Sequence, residues 1–187
     1  MRVFLAIHLP DTIRSELERL QEHLTVGRPV PSDNLHLTLC FLGEQSDALC
    51  EDAHEALSEV HAKPFDLRLA GLGTFGKNTP QVIFAGVQRC EELIELERKI
   101  TRKLRGTGVQ FQKRRFRPHV TIARLSKTIS NNALSHIQSF LADQGDFQGS
   151  RFQVQEFHFY CSTLTPEQAR HEILTSYDLS NPEIDAV

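Results

Sequence analysis

A four-residue pattern occurs twice in this chain and constrains the fold more than any other feature of the sequence. The chain reads His-Leu-Thr-Leu at 36–39 and His-Val-Thr-Ile at 119–122. Successive side chains of a β-strand point to opposite faces, so this alternation predicts strands with one polar and one apolar face. The aliphatic residues of each copy would enter a hydrophobic core, and the histidine and threonine would share the other face.

Both copies lie at matching places in a repeated order of strand, helix, loop, strand, helix, strand. The first half has predicted strands at 2–9, 35–42 and 65–72 and predicted helices at 11–24 and 47–61. The second half has predicted strands at 81–87, 119–124 and 151–160 and predicted helices at 91–104 and 131–141, and a last strand is predicted within 172–179. This order indicates one domain, 1–187, duplicated over roughly 1–72 and 81–160, in which Val3 matches Val82 and His36 matches His119.

The two polar faces suit acid–base chemistry at phosphorus if they meet across a groove. Histidine has an ordinary pKa of about 6.5, so one neutral imidazole can act as a base while a second, protonated one acts as an acid. A threonine hydroxyl can hold a phosphoryl oxygen. A single His-x-Thr in a strand is common by chance and is most often structural. Two copies at matching places in a duplicated order favour a catalytic pair.

Charge is distributed unevenly along the chain. The net charge of −3 alone argues against a polyanionic ligand, but residues 98–127 hold 11 of the 21 lysines and arginines and no acidic residue. A local field of one sign can steer a phosphate ligand even on an acidic protein. The alternative is a solvated basic helix face followed by a basic loop.

Other classes of site lack support in the sequence. The nine histidines form neither H-x-H nor H-E-x-x-H, so no metal site is predicted, and His54 and His61 are expected at the surface. No G-x-S-x-G motif supports serine hydrolysis. The four cysteines show no C-x-x-C spacing and are predicted to be free thiols in a reducing cytoplasm. No apolar run approaches the ~20 residues of a membrane helix.

The sequence resembles the two-histidine phosphoesterase superfamily, and within it the bacterial and archaeal RNA 2′,3′-cyclic phosphodiesterases, once called 2′-5′ RNA ligases. The resembling segments are VFLAI at 3–7, RPV at 28–30, DNLHLTL at 33–39, FLGE at 41–44, FRPHVTIAR at 116–124 and FHFYCS at 157–162. The resemblance implies an α+β, bilobed fold in which each lobe is an antiparallel sheet backed by helices, with the active site in the groove between lobes. It also implies catalysis without metal or cofactor, with His36 as general acid, His119 as general base, and Thr38 and Thr121 as phosphate ligands.

The local sequence is consistent with these roles. Positive charge near His119 favours a neutral imidazole, as a base requires, and the Asp33 carboxylate near His36 favours a protonated one, as an acid requires.

Phe41 and Arg124 each lie five residues after a histidine. Strict alternation would turn both into the core, but an arginine is seldom buried without a partner. We therefore expect the second strand to end or bulge near Ala123. If the first strand does the same, Phe41 and Arg124 flank the groove as a base-stacking aromatic and a phosphate- or base-binding cation. The alternative for Phe41 is an ordinary core residue.

These features predict an enzyme that opens 2′,3′-cyclic phosphate ends of RNA to give 2′-phosphates. Lys113, Arg114 and Arg115 are expected to meet the phosphates upstream of that end. We expect a cytoplasmic monomer without membrane association, and tRNA fragments are one candidate substrate. The alternatives are a 2′-5′ RNA ligase running the reaction in reverse, a non-catalytic RNA-binding module, and a phosphodiesterase for small cyclic nucleotides.

Overall fold

The computed structural model describes residues 1–111, 115–165 and 169–179, which form four α-helices and nine β-strands. In chain order these are β1 (Arg2–His8), α1 (Asp11–Glu22), β2 (Arg28–Pro29), β3 (His36–Glu44), α2 (Asp47–Ser58), β4 (Phe65–Phe75), β5 (Val82–Val87), α3 (Glu91–Leu104), β6 (His119–Arg124), α4 (Asn131–Gln144), β7 (Gln148–Val154), β8 (Glu156–Leu164) and β9 (Ala169–Asp178). The four predicted helices are confirmed, and each predicted strand overlaps a strand of the structure. None of the described helices is long and apolar enough to cross a membrane.

The strands form one antiparallel sheet in the order β7-β4-β5-β6-β3-β1-β8-β9, and the short β2 pairs with β6. The predicted α+β class with antiparallel strands is therefore confirmed. β3 meets β6 at the pair Leu37–Val120, with four strands of the main order on each side of that junction. This division is consistent with two lobes.

The hydrophobic core lies on one face of the sheet. Alternate residues of β1, namely Val3, Leu5 and Ile7, enter it together with the aliphatic residues of the two repeated patterns. Each helix contributes a stripe of apolar side chains at spacings of three and four, such as Leu93, Leu96, Ile100 and Leu104 of α3. Each fully buried aliphatic side chain of this size stabilises the fold by about 1.5–3 kcal/mol. The opposite face carries a separate small cluster of Phe4, Ala6 and Tyr160.

Both strands that carry the repeated pattern contain a bulge at the same place. Leu5 pairs with Cys40 and Ala6 with Thr38, which leaves Leu39 unpaired. In β6 the pairs are Ile83–Ala123 and Phe84–Thr121, which leaves Ile122 unpaired. Two successive residues of each strand are consequently buried, and the next residue, Phe41 or Arg124, is exposed. The predicted bulge near Ala123 is confirmed, and the first strand does the same.

Two predictions of detail were wrong. Val82 lies opposite Arg124 as Phe4 lies opposite Phe41, so Val82 matches Phe4 and not Val3. The predicted strand at 151–160 is two strands, because the chain passes at Gln155 from β7, which pairs with β4, to β8, which pairs with β1. The apolar residues change from even to odd positions across Gln155 and Glu156, and this shift of alternation marks the break.

A buried amide on α1 fixes the bulge of β6. Gln21 is 8% exposed, and its Nε2 donates to the carbonyl oxygens of Val30 at 2.9 Å and Ile122 at 2.7 Å. The backbone N–H of Val30 donates to the same Ile122 oxygen at 2.9 Å. The extra residue of the bulge is therefore hydrogen-bonded from two sides.

We expect Gln21→Leu to lower the free energy of unfolding by about 1–3 kcal/mol, because it removes the amide hydrogen bonds to the Val30 and Ile122 carbonyls and leaves the Ile122 carbonyl with the Val30 N–H alone. Urea denaturation measures this change. The matched control is Gln138→Leu on the exposed side of α4, which should change stability by no more than about 0.5 kcal/mol. Equal losses in the two variants would show that the amide does not hold the bulge.

Candidate active site

The two histidines of the repeated pattern make the same local hydrogen bond. His36 Nδ1 lies 2.8 Å from the carbonyl oxygen of Asn34, and His119 Nδ1 lies 2.6 Å from the carbonyl oxygen of Arg117. A carbonyl only accepts hydrogen bonds, so Nδ1 carries the proton in both rings. Each neutral imidazole therefore presents an unprotonated Nε2, which can accept a proton.

The junction of β3 with β6 brings the two patterns together. Continued on either side of the Leu37–Val120 pair, the antiparallel register directs His36 toward Thr121 and Thr38 toward His119. The charge of His119 is one of the influences on the titration of His36, in keeping with this arrangement. All four side chains are half-buried. The two predicted catalytic patterns thus meet at one junction of the sheet, and each has its histidine and threonine on either side of the paired aliphatic residue.

Aromatic rings surround His36. The centroid of its ring lies 4.9 Å from that of Phe4 and 6.1 Å from that of Tyr160, and the His171 ring meets it edge-on at 5.2 Å. Phe4 in turn stacks on Tyr160 at 5.0 Å and contacts Phe41 at 5.6 Å. These contacts fix the plane of the imidazole and exclude water from one side of it.

His119 lies in a second aromatic environment. Phe75 meets its ring edge-on at 4.7 Å and Phe84 at 5.4 Å. The guanidinium of Arg117 lies 5.1 Å above the Phe75 ring, within the range of a cation–π contact. Gly73 permits this packing, since a Cβ at that position would come within 2.6 Å of the Phe84 ring.

The four predicted binding residues fall into three groups. Phe41 is 59% exposed beside Phe4 on the face that carries His36, so it is not an ordinary core residue. Arg124 is exposed at the end of β6 and close enough to His36 to affect its titration. Arg115 is exposed, and Arg114 lies outside the described residues, as does Lys113.

Comparison with known proteins decides the family. The family model described as the 2'-5' RNA ligase superfamily matches residues 9–163. This chain belongs to that superfamily. The RNA 2',3'-cyclic phosphodiesterase of Methanocaldococcus jannaschii is 31% identical over 95% of this chain and 100% of its own. The protein of the same name from Escherichia coli K12 is 36% identical over 96% of this chain and 97% of its own.

Solved structures have the same fold. The crystal structure of E. coli LigT complexed with 3'-AMP superposes with a TM-score of 0.79 at 26% identity, and covers 96% of this chain and 98% of LigT. The crystal structure of TT0787 of Thermus thermophilus also superposes with a TM-score of 0.79, at 27% identity, and covers 96% of this chain and 98% of its own.

Burial sets the electrostatics of the site in this superfamily member. It lowers the pKa of His36 to about 4, and the positive charges of His171 and Arg124 act in the same direction. Burial also lowers the pKa of His119. The charge of Arg117 lowers it further, whereas the hydrogen bond to the Arg117 carbonyl raises it. The hypothesis that Asp33 keeps His36 protonated is wrong, because Asp33 is exposed and pairs with Arg14 at 3.5 Å. Both imidazoles are neutral at pH 7 without a ligand.

Sequence reasoning missed the residues that surround the two histidines. Alternation along β1 was a usable signal for Phe4, which has the opposite parity to Val3 and Leu5. His171 gives no such signal, since it reaches the site only through the pairing of β9 with β8 and of β8 with β1. The described residues contain no cluster of three or more His, Cys, Asp or Glu that could hold a metal ion.

We expect the His36 imidazole to titrate with a midpoint near 4 in the free protein. Burial disfavours the charged ring, so it binds a proton only well below pH 6.5, whereas a bound phosphate would favour the charged form and move the midpoint upward. NMR titration of the ring carbons, assigned by the signal lost in His36→Gln, measures both values. A midpoint at or above 6.5 in the free protein would contradict the burial argument.

Proposed function

We propose that this protein hydrolyses the 2′,3′-cyclic phosphate end of RNA to a 2′-phosphate by metal-independent acid–base catalysis. The observation that carries the proposal is the matched pair of imidazoles, each with Nδ1 bound to a backbone carbonyl and Nε2 unprotonated. The relatives named RNA 2',3'-cyclic phosphodiesterase, 31% and 36% identical over nearly the whole chain, support the same reaction.

The reaction needs one proton removed and one supplied. His119 takes a proton from water, whose oxygen forms a bond to phosphorus as the bond from phosphorus to the 3′ oxygen breaks. His36 gives its proton to that leaving oxygen. The hydroxyls of Thr38 and Thr121 donate hydrogen bonds to the phosphoryl oxygens, where negative charge builds up. Solvent then exchanges the proton between the two histidines.

The substrate supplies the charge that the acid requires. His36 is neutral in the free protein because of burial, but a cyclic phosphodiester carries a negative charge. That charge next to a half-buried imidazole favours the protonated form. His36 consequently becomes an acid when substrate binds, and burial makes its proton easy to release.

The rim of the cluster suits the rest of an RNA end. The exposed ring of Phe41 offers a stacking surface for a base, and Arg124 offers a planar cation for the phosphate or the base. Arg115 adds an exposed positive charge to the segment that precedes β6. Arg114 is proposed for the same role and lies outside the described residues. We further propose a cytoplasmic monomer, consistent with four free cysteines, acting on RNA ends such as those of tRNA fragments.

Ligation through a 2′-5′ linkage is the second candidate. The family description favours it, and the same two histidines would run the reaction in reverse with an RNA hydroxyl in place of water. The half-buried site is compatible with either direction. Hydrolysis is favoured because water is always present at high concentration.

The test is incubation with an oligonucleotide that ends in a 2′,3′-cyclic phosphate, in EDTA, followed by identification of the end group. We expect a 2′-phosphate, and we expect His36→Ala and His119→Ala each to lower kcat by about 10²–10⁴-fold, the usual contribution of one acid–base group. The matched control is His136→Ala, on the exposed face of α4. Activity that EDTA abolishes and a divalent ion restores, or near-normal activity in either active-site variant, would sink the proposal.

The division of labour between the histidines has its own test. A substrate with a better leaving group at the 3′ position needs less help from an acid. It should therefore restore much of the activity lost in His36→Ala and little of that lost in His119→Ala. Single-turnover rates with the activated and natural substrates measure the effect, and restoration of His119→Ala instead would reverse the two roles.

A further inference from the structure

Two arginines lie opposite each other on neighbouring strands. β2 pairs with β6 so that Arg28 is the partner of Arg124 and Pro29 the partner of Ala123. Directly opposite side chains project from the same face, and like charges in this position destabilise the pair. Within the described residues, no carboxylate lies within salt-bridge distance of either guanidinium. An anion held between the two groups would relieve the repulsion.

The arginine pair borders a cavity of about 630 Å³. Leu125, Ile129 and Ile137 provide an apolar wall, and the loop before α4 adds Ser126 and Thr128. Pockets that bind small ligands range over roughly 300–1,000 Å³ and combine apolar walls with a few polar groups. This cavity therefore has the volume for a nucleotide, with cations for its phosphate and an apolar wall for its base.

The local fold holds the cavity in shape. The Gln21 amide donates to Val30 on the β2 side and to Ile122 on β6, which ties the two arginine-bearing segments together. Gly27 adopts a φ of +85°, and a Cβ there would come within 2.7 Å of Leu125 Cδ2. A side chain at position 27 would thus be strained in its backbone and would collide with the apolar wall.

The cavity and the candidate active site share strand β6. Arg124 follows Thr121 by three residues of β6, a distance of about 10 Å along a strand. Arg124 thus belongs both to the strand that carries His119 and Thr121 and to the border of the cavity. A ligand that begins at the two histidines and follows β6 as far as Arg124 would reach the border of the cavity.

We infer that this cavity binds the nucleotide that precedes the cyclic end, with its phosphodiester between Arg28 and Arg124 and its base against the apolar wall. The identity of the strand rests on the proposed function, whereas the affinity for an anionic nucleotide rests on the cavity itself. The chain would then recognise an RNA end at least two nucleotides long in preference to a single cyclic nucleotide.

The experiment compares a mononucleotide cyclic phosphate, a dinucleotide with the same end, and that dinucleotide with an uncharged methylphosphonate at the inner linkage. The quantity measured is the ratio of KM for the dinucleotide to KM for the mononucleotide. Arg28→Ala should raise this ratio roughly 10-fold, as expected for a lost hydrogen bond to a charged group. Replacing the inner phosphodiester by methylphosphonate should raise the KM ratio of the wild-type protein by a similar factor. The same replacement should raise the KM ratio of Arg28→Ala only slightly. Ala133→Leu, which fills the cavity from α4, should raise the ratio too.

Lys127→Ala is the matched control, because it removes an exposed charge from the same loop without altering the wall of the cavity. An equal rise of the ratio in Lys127→Ala, no rise in Arg28→Ala, or no effect of the methylphosphonate would overturn the inference. Binding titrations with the 2′-phosphate products of both lengths separate this result from the proposed function. Selective loss of dinucleotide binding in Arg28→Ala supports the cavity even if no cyclic end is hydrolysed, and loss of both products equally contradicts it.

Discussion

The contact between Leu37 and Val120 is the interaction on which the site depends. Both side chains are fully buried at the one place where β3 and β6 pair. Their neighbours in sequence are His36 and Thr38 on one strand and His119 and Thr121 on the other. The burial of two aliphatic residues thus fixes the separation of two imidazoles, and the geometry of the chemistry is set by the core beneath it rather than by contacts between the histidines.

The bulges solve a problem that alternation alone cannot solve. Five residues after each histidine, a regular strand would direct Phe41 and Arg124 into the core. One extra residue, Leu39 or Ile122, restores the outward direction and costs only a local break in the ladder. In β6 the cost is reduced further, because the freed Ile122 carbonyl accepts hydrogen bonds from Gln21 and Val30. The Gln21 amide therefore stabilises the bulge at Ile122, and the bulge directs Arg124 out of the core.

The parts of the site that follow from local parity could be predicted from the sequence, and the parts that follow from strand partnership could not. His36, Thr38 and Phe41 are related by alternation and one bulge along a single strand. His171 reaches His36 from β9, more than a hundred residues away, through two successive strand pairings that no local pattern encodes. The division between β7 and β8, in contrast, coincides with a local change in the parity of the apolar residues that the prediction of one strand overlooked. The prediction based on charge was wrong for another reason. Asp33 is close to His36 in sequence, but its carboxylate pairs with Arg14.

The electrostatic design couples substrate binding to acid strength. Burial and the charge of Arg124 both oppose protonation of His36, so the free site does not hold the proton that the reaction needs. A phosphate beside Arg124 neutralises that cation's effect and adds its own attraction for a proton on the imidazole. The same arginine that attracts the anion thereby stops opposing the acid once the anion is bound. Burial and Arg124 thus keep His36 neutral in the free site, and a bound anion shifts its charge state toward the protonated form.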